Sequence, residues 1–409
     1  MAGQYYAPDS SDLQVIYVDD YALIDQQANT GSLWGWGYNG YGQLGLNIAS
    51  ALGKGNSSPV QVTGGGTNWK QLSCGGLYTA AIKTDGTLWT WGRNSNGQLG
   101  DNTTVHKSSP VQVTGGGTNW KQVSSGFHTA AIKTDGTLWT WGQNNYGQLG
   151  DNTIVSKSTP VQVTMGGLAN TNWKQVACGQ YYTAAIKTDG TLWTWGQNNY
   201  GQLGIGMLSA VGKGNSSPIQ VSGGGTNWKQ VSCGYYHTEA IKTDGTLWAC
   251  GRNDYGQLGD NSSGTKLSPV QTSSYTTWKS VICGNYHTVG VKTDGTLWVW
   301  GRNDYGQLGI NIISAAFKGN SLPIQTVSGG TDWKQVSCGG YFTIAIKTDG
   351  TLWTWGYNST GNLGLNDTTH RSSPIQTVSG GTNWKQVACG TAHTEAIYFY
   401  DAGNLYPSA

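Results

Sequence analysis

The chain is 409 residues long, only 11% of its residues are charged, and its formal net charge is +2. A net charge this small provides no global field that would recruit nucleic acid or an acidic membrane surface. A chain of this length ordinarily forms two or three domains, but a tryptophan-containing pattern repeats almost from end to end, which favours one continuous array.

The N-terminal segment is acidic, and the first basic residue is Lys54. An ordinary secretory signal needs a basic start and an apolar core, and a membrane span needs about 18 apolar residues or more. Neither pattern occurs, so we predict no signal peptide and no membrane insertion. Residues 1–28 are predicted to form an acidic tail or anchor, in which residues 13–24 provide an additional strand or an extended tether.

All 20 tryptophans belong to two short phrases that recur every 50 to 55 residues. The phrase Leu-Trp-x-Trp-Gly first appears at Leu33 and the phrase Trp-Lys at Trp69, and each occurs seven times, with Cys250 replacing one tryptophan. Burying a tryptophan removes about 150 to 250 Å² from water, so we predict that these residues form the core rather than a carbohydrate platform.

One full unit, residues 69–113, contains four short apolar runs that predict four strands, A to D: WKQLSC, TAAIK, TLWTW and PVQV. An Asp-Gly pair between B and C is a strong hairpin signal, first seen at Asp85. No helical periodicity appears, so the fold is predicted to be all-β. Both faces of each sheet are apolar, which radial stacking around an axis would cover.

The copy number and the chain ends together predict a closed seven-bladed β-propeller of four-stranded antiparallel blades. The last unit, from Trp384, supplies strands A and B and then stops, whereas the chain begins near Gly31 with strand C. The two ends are therefore predicted to share one blade. We place the propeller at residues 29–400 and a short C-terminal tail at residues 401–409.

The segment from Gly126 to Gly150, GFHTAAIKTDGTLWTWGQNNYGQLG, closely resembles the repeat of the regulator of chromosome condensation (RCC1) family. The resemblance covers residues 31 to about 397 and implies a seven-bladed propeller. The family includes a nucleotide exchange factor for a small nuclear GTPase, signalling modules and secreted inhibitors of β-lactamases. The basic nucleosome-binding segment and protruding β-wedge of the exchange factor have no counterpart here, which argues against exchange activity and chromatin binding.

In such a blade the A–B turns and C–D loops share one face of the ring, and this face carries the most sequence variation between repeats. An aromatic-rich rim on the A–B turns is predicted to bind a partner, because tyrosine gives large contact area at low entropic cost. Its members are Leu77, Phe127, Tyr181, Tyr235, Tyr236, Tyr286 and Tyr341.

Three C–D loops, beginning at Leu46, Ile205 and Ile310, are four residues longer than the others and carry apolar residues. Exposed apolar residues in loops indicate partner contact, although these side chains could instead pack on the blade rim. The candidate binding residues are Leu52, Lys54, Met207, Leu208, Lys213, Ile312, Ile313, Phe317 and Lys318.

No residue set predicts catalysis, a metal or a cofactor. Four histidines start strand B in different units, but tyrosine or phenylalanine replaces them in the others, so we predict a packing role. Six cysteines share one repeat position, which suits small buried thiols better than disulfides. Glu239 and Glu395 have no reactive neighbour in sequence.

The resulting hypothesis is a non-enzymatic binding propeller that recognises a protein or a cell-surface glycan and does not bind nucleic acid. Its composition suits a component of a larger assembly, such as a phage tail fibre or capsid appendage with an adhesion role, held through residues 1–28. Such a protein would be virion-associated or cytoplasmic. The alternative is a soluble regulator, either an exchange factor or an enzyme inhibitor of the secreted kind.

Overall fold

A computed structural model describes residues 31–50, 54–64, 66–165, 168–169, 171–210, 213–273, 275–315 and 318–399. The predicted architecture is confirmed: seven four-stranded antiparallel sheets form the blades of a propeller. The tails predicted at residues 1–28 and 401–409 lie outside the described residues.

We number the blades I to VII and the strands in chain order. Blade I contains β1 (Gly31–Tyr38) and β2 (Gly55–Gln61). Blade II comprises β3 (Trp69–Cys74), β4 (Tyr78–Lys83), β5 (Leu88–Gly92) and β6 (Lys107–Gln112). Blade III comprises β7 (Trp120–Ser125), β8 (His128–Lys133), β9 (Leu138–Gly142) and β10 (Lys157–Gln162). A small hairpin, β11 (Thr164–Met165) and β12 (Leu168–Ala169), follows.

Blade IV comprises β13 (Trp173–Cys178), β14 (Tyr182–Lys187), β15 (Leu192–Gln197) and β16 (Gly214–Gln220). Blade V comprises β17 (Trp228–Cys233), β18 (His237–Lys242), β19 (Leu247–Gly251) and β20 (Lys266–Gln271). Blade VI comprises β21 (Trp278–Cys283), β22 (His287–Lys292), β23 (Leu297–Arg302) and β24 (Gly319–Gln325). Blade VII comprises β25 (Trp333–Cys338), β26 (Phe342–Lys347), β27 (Leu352–Gly356) and β28 (Arg371–Gln376).

The two chain ends close the ring as predicted. Strands β29 (Trp384–Cys389) and β30 (His393–Phe399) complete blade I, whose strand order is β2-β1-β30-β29. The pairing runs without interruption from Gly31 opposite Phe399 to Gly37 opposite His393. The start and the end of the propeller are therefore joined by a full antiparallel ladder.

Tryptophan pairs fill the blades, which confirms the predicted core. In blade III, Trp120 and Trp141 are buried, and their ring centroids lie 6.0 Å apart. The first tryptophan of the Leu-Trp-x-Trp-Gly phrase, Trp139, is only half-buried. The Nζ of Lys133 lies 4.7 Å from the centroid of Trp139 and 4.8 Å from that of Trp120. The lysine therefore covers the aromatic pair and contributes a cation–π contact.

The predicted B–C hairpins are stabilised by a side-chain relay. In blade III, the Oδ1 of Asp135 accepts hydrogen bonds from the backbone N of Thr137 at 2.9 Å and from its Oγ1 at 2.7 Å. The Nε1 of Trp139 donates to the same hydroxyl at 2.9 Å. Gly136 has a φ of 79°, and a Cβ there would lie 2.0 Å from the carbonyl O of Thr171. Glycine is therefore required at this turn.

Strand D differs from its predicted position. The sequence predicts residues 110–113 in blade II, but β6 extends from Lys107 to Gln112. Its pairing with β5 shifts in register between Thr90 and Gly92, so an irregular segment precedes the regular ladder. The apolar run marks only the second part of the strand.

Neighbouring blades are joined by one recurring backbone hydrogen bond. In blade II the N of Asn102, with a φ of 62°, donates to the carbonyl O of Ser158 in blade III at 2.9 Å. The equivalent pairs are Asn47–Ser108, Asn152–Ser216, Gly206–Leu267, Asn261–Ser321, Asn311–Ser372 and Asn366–Ser57. Each C–D loop therefore reaches strand D of the following blade, and this bond closes all seven junctions.

The prediction of buried thiols holds for three of the six cysteines at the repeat position. Cys283, Cys338 and Cys389 are buried, whereas Cys74, Cys178 and Cys233 are half-buried; all six line the central channel. Burial raises the pKa of the Cys178 thiol to about 12. The seven cysteines are all free thiols.

Candidate functional site

The face formed by the A–B turns and C–D loops is assembled by backbone hydrogen bonds within each blade. In blade VI the N of Arg302, at the end of strand C, donates to the carbonyl O of Tyr286 in the A–B turn at 2.9 Å. The equivalent pairs in the other blades are Tyr38–Ala392, Arg93–Leu77, Gln143–Phe127, Gln197–Tyr181, Arg252–Tyr236 and Tyr357–Tyr341. The turn residue and the strand-end residue are thus held side by side in every blade.

Most of the predicted rim residues are in contact with one another. Tyr286 stacks on Tyr235 with ring centroids 5.5 Å apart and on Tyr341 with centroids 6.0 Å apart. Tyr235 also contacts Tyr236 at 4.7 Å. Phe127 and Tyr181 form a separate pair at 5.2 Å. Leu77 is half-buried in the A–B turn of blade II, apart from these rings.

A second set of aromatic residues, on the C–D loops, was missed by the sequence analysis. The loop tyrosine of one blade contacts the turn tyrosine of the next blade. The ring centroid distances are 5.3 Å for Tyr146–Tyr181, 4.8 Å for Tyr200–Tyr236, 5.5 Å for Tyr255–Tyr286 and 5.4 Å for Tyr305–Tyr341. The signal was available, because a tyrosine precedes Gly-Gln-Leu-Gly in five repeats.

Two arginines lie between these tyrosines. The guanidinium carbon of Arg302 is 4.9 Å from the ring centroid of Tyr341, 5.1 Å from Tyr255 and 5.6 Å from Tyr286. Its Nε and Nη2 donate to the two carboxylate oxygens of Asp304 at 2.9 and 2.6 Å. The aspartate therefore orients the guanidinium plane and neutralises its charge.

Arg252 occupies the equivalent position in blade V. Its guanidinium carbon is 5.1 Å from the ring centroid of Tyr200 and 5.5 Å from Tyr286, and it pairs with Asp254 at 2.7 Å. We call the connected group the tyrosine–arginine cluster; it comprises Tyr200, Tyr235, Tyr236, Arg252, Tyr255, Tyr286, Arg302, Tyr305, Tyr341 and Tyr357. It extends from blade IV to blade VII.

The tyrosines of the cluster are half-buried. Burial raises the pKa of the Tyr235 hydroxyl to about 12, and it raises the pKa of Tyr286 and Tyr341 above its usual value. The Nε2 of Gln180 donates to the Tyr235 hydroxyl. The cluster therefore offers neutral hydroxyl groups and ring edges at physiological pH.

The A–B turns surround the mouth of the central channel, where the cavity is smaller than an ordinary ligand site. The residues that line it include Phe127, Gln180, Tyr235 and Asn285, and the cavity has a volume of about 140 Å³. Small-molecule sites usually measure roughly 300 to 1,000 Å³. The geometry at the axis therefore favours contact with a macromolecular surface.

The long loops expose the predicted apolar residues. Met207 is 62% exposed, Ile312 is 61% exposed, and Leu208 and Ile313 are also exposed. The lysines at positions 54, 213 and 318 are on the surface; Leu52 and Phe317 lie outside the described residues. Exposed aliphatic residues are not confined to the long loops, however. Val105 and Ile154, on two shorter loops, are exposed as well, so an apolar rim is a general property of this face.

Burial shifts the pKa of the buried carboxyl groups and of the buried histidines toward the uncharged form. Burial raises the pKa of Glu239 and Glu395 well above its usual value and lowers the pKa of His128 to about 3. His128 is fully buried and bonded to the next blade, which confirms the predicted packing role. Among the described residues, no group of three His, Cys, Asp or Glu side chains is arranged to hold a metal ion. The same part of the chain contains no helix long and apolar enough to cross a membrane.

Comparison with known proteins shows similarity across almost the whole described chain. The family model for the RCC1-like domain matches residues 32–396. The ultraviolet-B receptor UVR8 of Arabidopsis thaliana is 34% identical over 89% of this chain and 58% of its own length. The probable E3 ubiquitin-protein ligase HERC4 of Rattus norvegicus is 32% identical over 91% of this chain and 30% of its own length. The chain thus spans less than two thirds of these relatives.

Two solved structures share the fold. Human WBSCR16 has a TM-score of 0.77 at 23% identity, covering 90% of this chain and 98% of that chain. Yeast RCC1 (Prp20), in its crystal structure with Kap60, has a TM-score of 0.80 at 18% identity, covering 98% of this chain and 97% of that chain.

Proposed function

Because the chain belongs to the RCC1-like domain family, we propose that it is a non-enzymatic propeller that binds a protein partner through the tyrosine–arginine cluster. The observation that carries this proposal is the continuous contact of half-buried tyrosines with two arginines across blades IV to VII. Tyrosine and arginine are the residues that most often dominate protein interfaces. A rigid cluster of this kind loses little conformational entropy on binding.

The chemistry of the cluster favours a protein over a nucleic acid or a glycan. Both arginines are paired with aspartates, so they carry no free charge toward a phosphate backbone. The tyrosine faces of Tyr235, Tyr286 and Tyr341 are stacked on one another, which leaves ring edges and hydroxyls rather than open faces for a sugar.

The other hypotheses stay predictions with less support. A receptor and a probable ubiquitin ligase among the relatives indicate that propellers of this family occur in proteins of different activities, and the chain covers only part of each. A regulator of the exchange-factor or inhibitor type is the alternative. The virion and adhesion roles depend on composition and on residues 1–28, and none of the relatives reported above is a virion protein.

The proposal is tested by replacing three cluster tyrosines together, Tyr236→Ser, Tyr286→Ser and Tyr341→Ser. The matched control is Tyr275→Ser, since Tyr275 is an accessible tyrosine outside the cluster that lies in a D–A connection on the opposite face and contacts Trp278. In affinity capture with quantitative mass spectrometry, the amount of each protein that the wild type binds should be at least about tenfold lower with the triple variant. The reason is that each hot-spot tyrosine contributes about 2 kcal/mol to binding.

Thermal unfolding should show that the triple variant stays folded. If the same proteins are captured by the triple variant, or if Tyr275→Ser loses them equally, the cluster is not the binding surface.

A further inference from the structure

The C–D loops carry one basic residue at the same repeat position, and in the four shorter loops an aspartate of the same loop neutralises it. The Nζ of Lys107 lies 3.5 Å from Asp101, and that of Lys266 lies 3.2 Å from Asp260. The other two pairs are Lys157–Asp151 and Arg371–Asp367. The cations of the short loops are therefore already paired within the chain.

The three long loops differ, because they have an apolar residue at the acidic position and no other acidic residue; the short loop of blade VII has Leu365 there, but Asp367 pairs with its arginine. Leu46, Ile205 and Ile310 stand where blades II, III and V have Asp101, Asp151 and Asp260, and segments 46–58, 205–217 and 310–322 contain no acidic residue. The corresponding lysines, Lys54, Lys213 and Lys318, are all exposed. Within the described part of the chain, no carboxylate lies within ion-pair distance of them.

Each free lysine has exposed aliphatic neighbours in its own loop. Ile48 is 65% exposed in the loop of blade I, and Met207 and Ile312 are comparably exposed in blades IV and VI. In blade IV the loop forms a mainly apolar cleft of about 460 Å³ that is lined by Met207, Leu208, Ile219 and Lys213, among others. Such a cleft is large enough for an apolar side chain and offers one unneutralised ammonium group beside it.

We propose that the three long loops bind an acidic segment of the partner that also carries apolar side chains. An apolar side chain fills the cleft of blade IV while a neighbouring carboxylate pairs with Lys213, and carboxylates farther along the segment pair with Lys318 on blade VI and Lys54 on blade I. The inference rests on the proposed function, since the loops share the face of the tyrosine–arginine cluster. The long loops of blades IV and VI follow the cluster residues Tyr200 and Tyr305, and blade I adjoins blade VII; the short loops of blades V and VII, within the cluster, are neutralised like those of blades II and III.

An anionic membrane would present a similar chemistry to loops that pair aliphatic residues with lysines. The concave cleft beside Lys213 favours a polypeptide, because a side chain that projects from a polypeptide can enter the cleft. A bilayer surface has no comparable projecting group. Charge complementarity then selects an acidic sequence.

The test uses a fluorescent synthetic peptide that alternates aspartate and leucine, with lysine–leucine and aspartate–serine peptides for comparison. The variant is K54Q/K213Q/K318Q, and the matched control is K107Q/K157Q/K266Q, which removes the same net charge from paired positions. The wild type should bind the aspartate–leucine peptide best. The long-loop variant should bind it about tenfold more weakly, since it loses three exposed ion pairs that contribute about 0.2 to 1 kcal/mol each. The control should change by less than about twofold, because its lysines are already paired within the chain.

Three results would overturn the inference: equal loss in the two variants, equal binding of the lysine–leucine peptide, or binding of phosphatidylserine vesicles without binding of the peptide. If the peptide fails to bind the wild type while the tyrosine triple variant still loses its captured proteins, only the loop inference is wrong. If the peptide binds as expected but the tyrosine variant captures the same proteins as the wild type, only the proposed function of the cluster is wrong.

Discussion

The Nε2 of His128 lies 2.7 Å from the Oγ1 of Thr183 on the next blade, and both side chains are completely buried. The hydroxyl of Thr183 donates its own proton to the carbonyl O of Gln148 at 2.8 Å, so it accepts from the histidine. His128 is therefore the neutral tautomer with its proton on Nε2. Its Nδ1 has no hydrogen-bond partner among the described residues, and a proton there would be buried without compensation. The same pairing recurs at His237–Thr288, His287–Thr343 and His393–Thr79.

These four histidines predict that the propeller loses stability in mild acid. Burial lowers the pKa of each to about 3, whereas the unfolded chain has the ordinary value of 6.5. The unfolded state therefore binds more protons, and stability is complete above pH 6.5 and declines as the pH falls toward 3. Each histidine should lower the free energy of unfolding by about 2 kcal/mol between pH 7.5 and 5.

The variant His128→Tyr isolates one histidine, because Tyr78 occupies the same repeat position and bonds to Thr129 of the next blade at 2.8 Å. Urea unfolding at pH 7.5 and 5 should show a pH dependence reduced by about 2 kcal/mol relative to the wild type. An unchanged pH dependence would contradict the assigned protonation state.

Glu395 predicts a stabilising substitution in blade I. The carboxyl group lies opposite Gly35, where a Cβ would approach its Oε1 to 2.6 Å, so the glycine provides the space for it. Burial raises the pKa of Glu395 well above its usual 4.5, so the folded protein binds this proton more tightly than the unfolded chain does and loses stability as the pH rises above 4.5. Glu395→Gln should therefore raise the free energy of unfolding at pH 7, and the gain should vanish as the pH falls to about 4.

The equivalent Glu239→Gln in blade V, where Ala249 is the cross-strand neighbour, should behave in the same way. Denaturant unfolding of both variants across this pH range is the measurement. A gain that is independent of pH, or a loss at pH 7, would show that the buried carboxyl is not protonated in the folded protein.

The fold could be predicted from the sequence because its determinants are local and repeated. The Asp-Gly turn at Asp135 and the tryptophan spacing each act within one unit, and seven copies reinforce each signal. The start of strand D was missed, since the register shift next to Gly92 places polar residues in the ladder.

The candidate site was harder to predict from the sequence, because its contacts join different blades. Tyr200 belongs to the C–D loop of blade IV and meets Tyr236 in the A–B turn of blade V. Reading each turn separately identified Tyr236 and overlooked Tyr200. The packing of Arg302 against tyrosines of two neighbouring blades could likewise be seen only once the ring was assembled.

The B–C turn relay predicts a defined loss of stability. Asp135→Ala removes the acceptor for two hydrogen bonds of Thr137 and loosens the hydroxyl that orients Trp139. We expect the free energy of unfolding to fall by about 1 to 2 kcal/mol, as for the loss of a capping side chain. Asp135→Asn keeps an acceptor oxygen and should cost less than half as much in urea unfolding. Equal losses would mean that charge rather than hydrogen bonding matters at this turn.

The planar guanidinium group of Arg302 predicts that Arg302→Lys weakens stability and partner capture, whereas the same substitution of Arg93, at the equivalent position of another blade, does not affect capture. Arg302→Lys keeps the positive charge but removes the planar stacking on Tyr341 and the bidentate pair with Asp304. It should lower the free energy of unfolding by about 1 kcal/mol and weaken capture of the partner several-fold. Arg93→Lys is the matched control, because Arg93 contacts Ser95 and the ring of Tyr41 outside the cluster. Capture of the partner should be unaffected in the control. If both variants capture the partner like the wild type, the Arg302 side chain does not contribute to the binding surface.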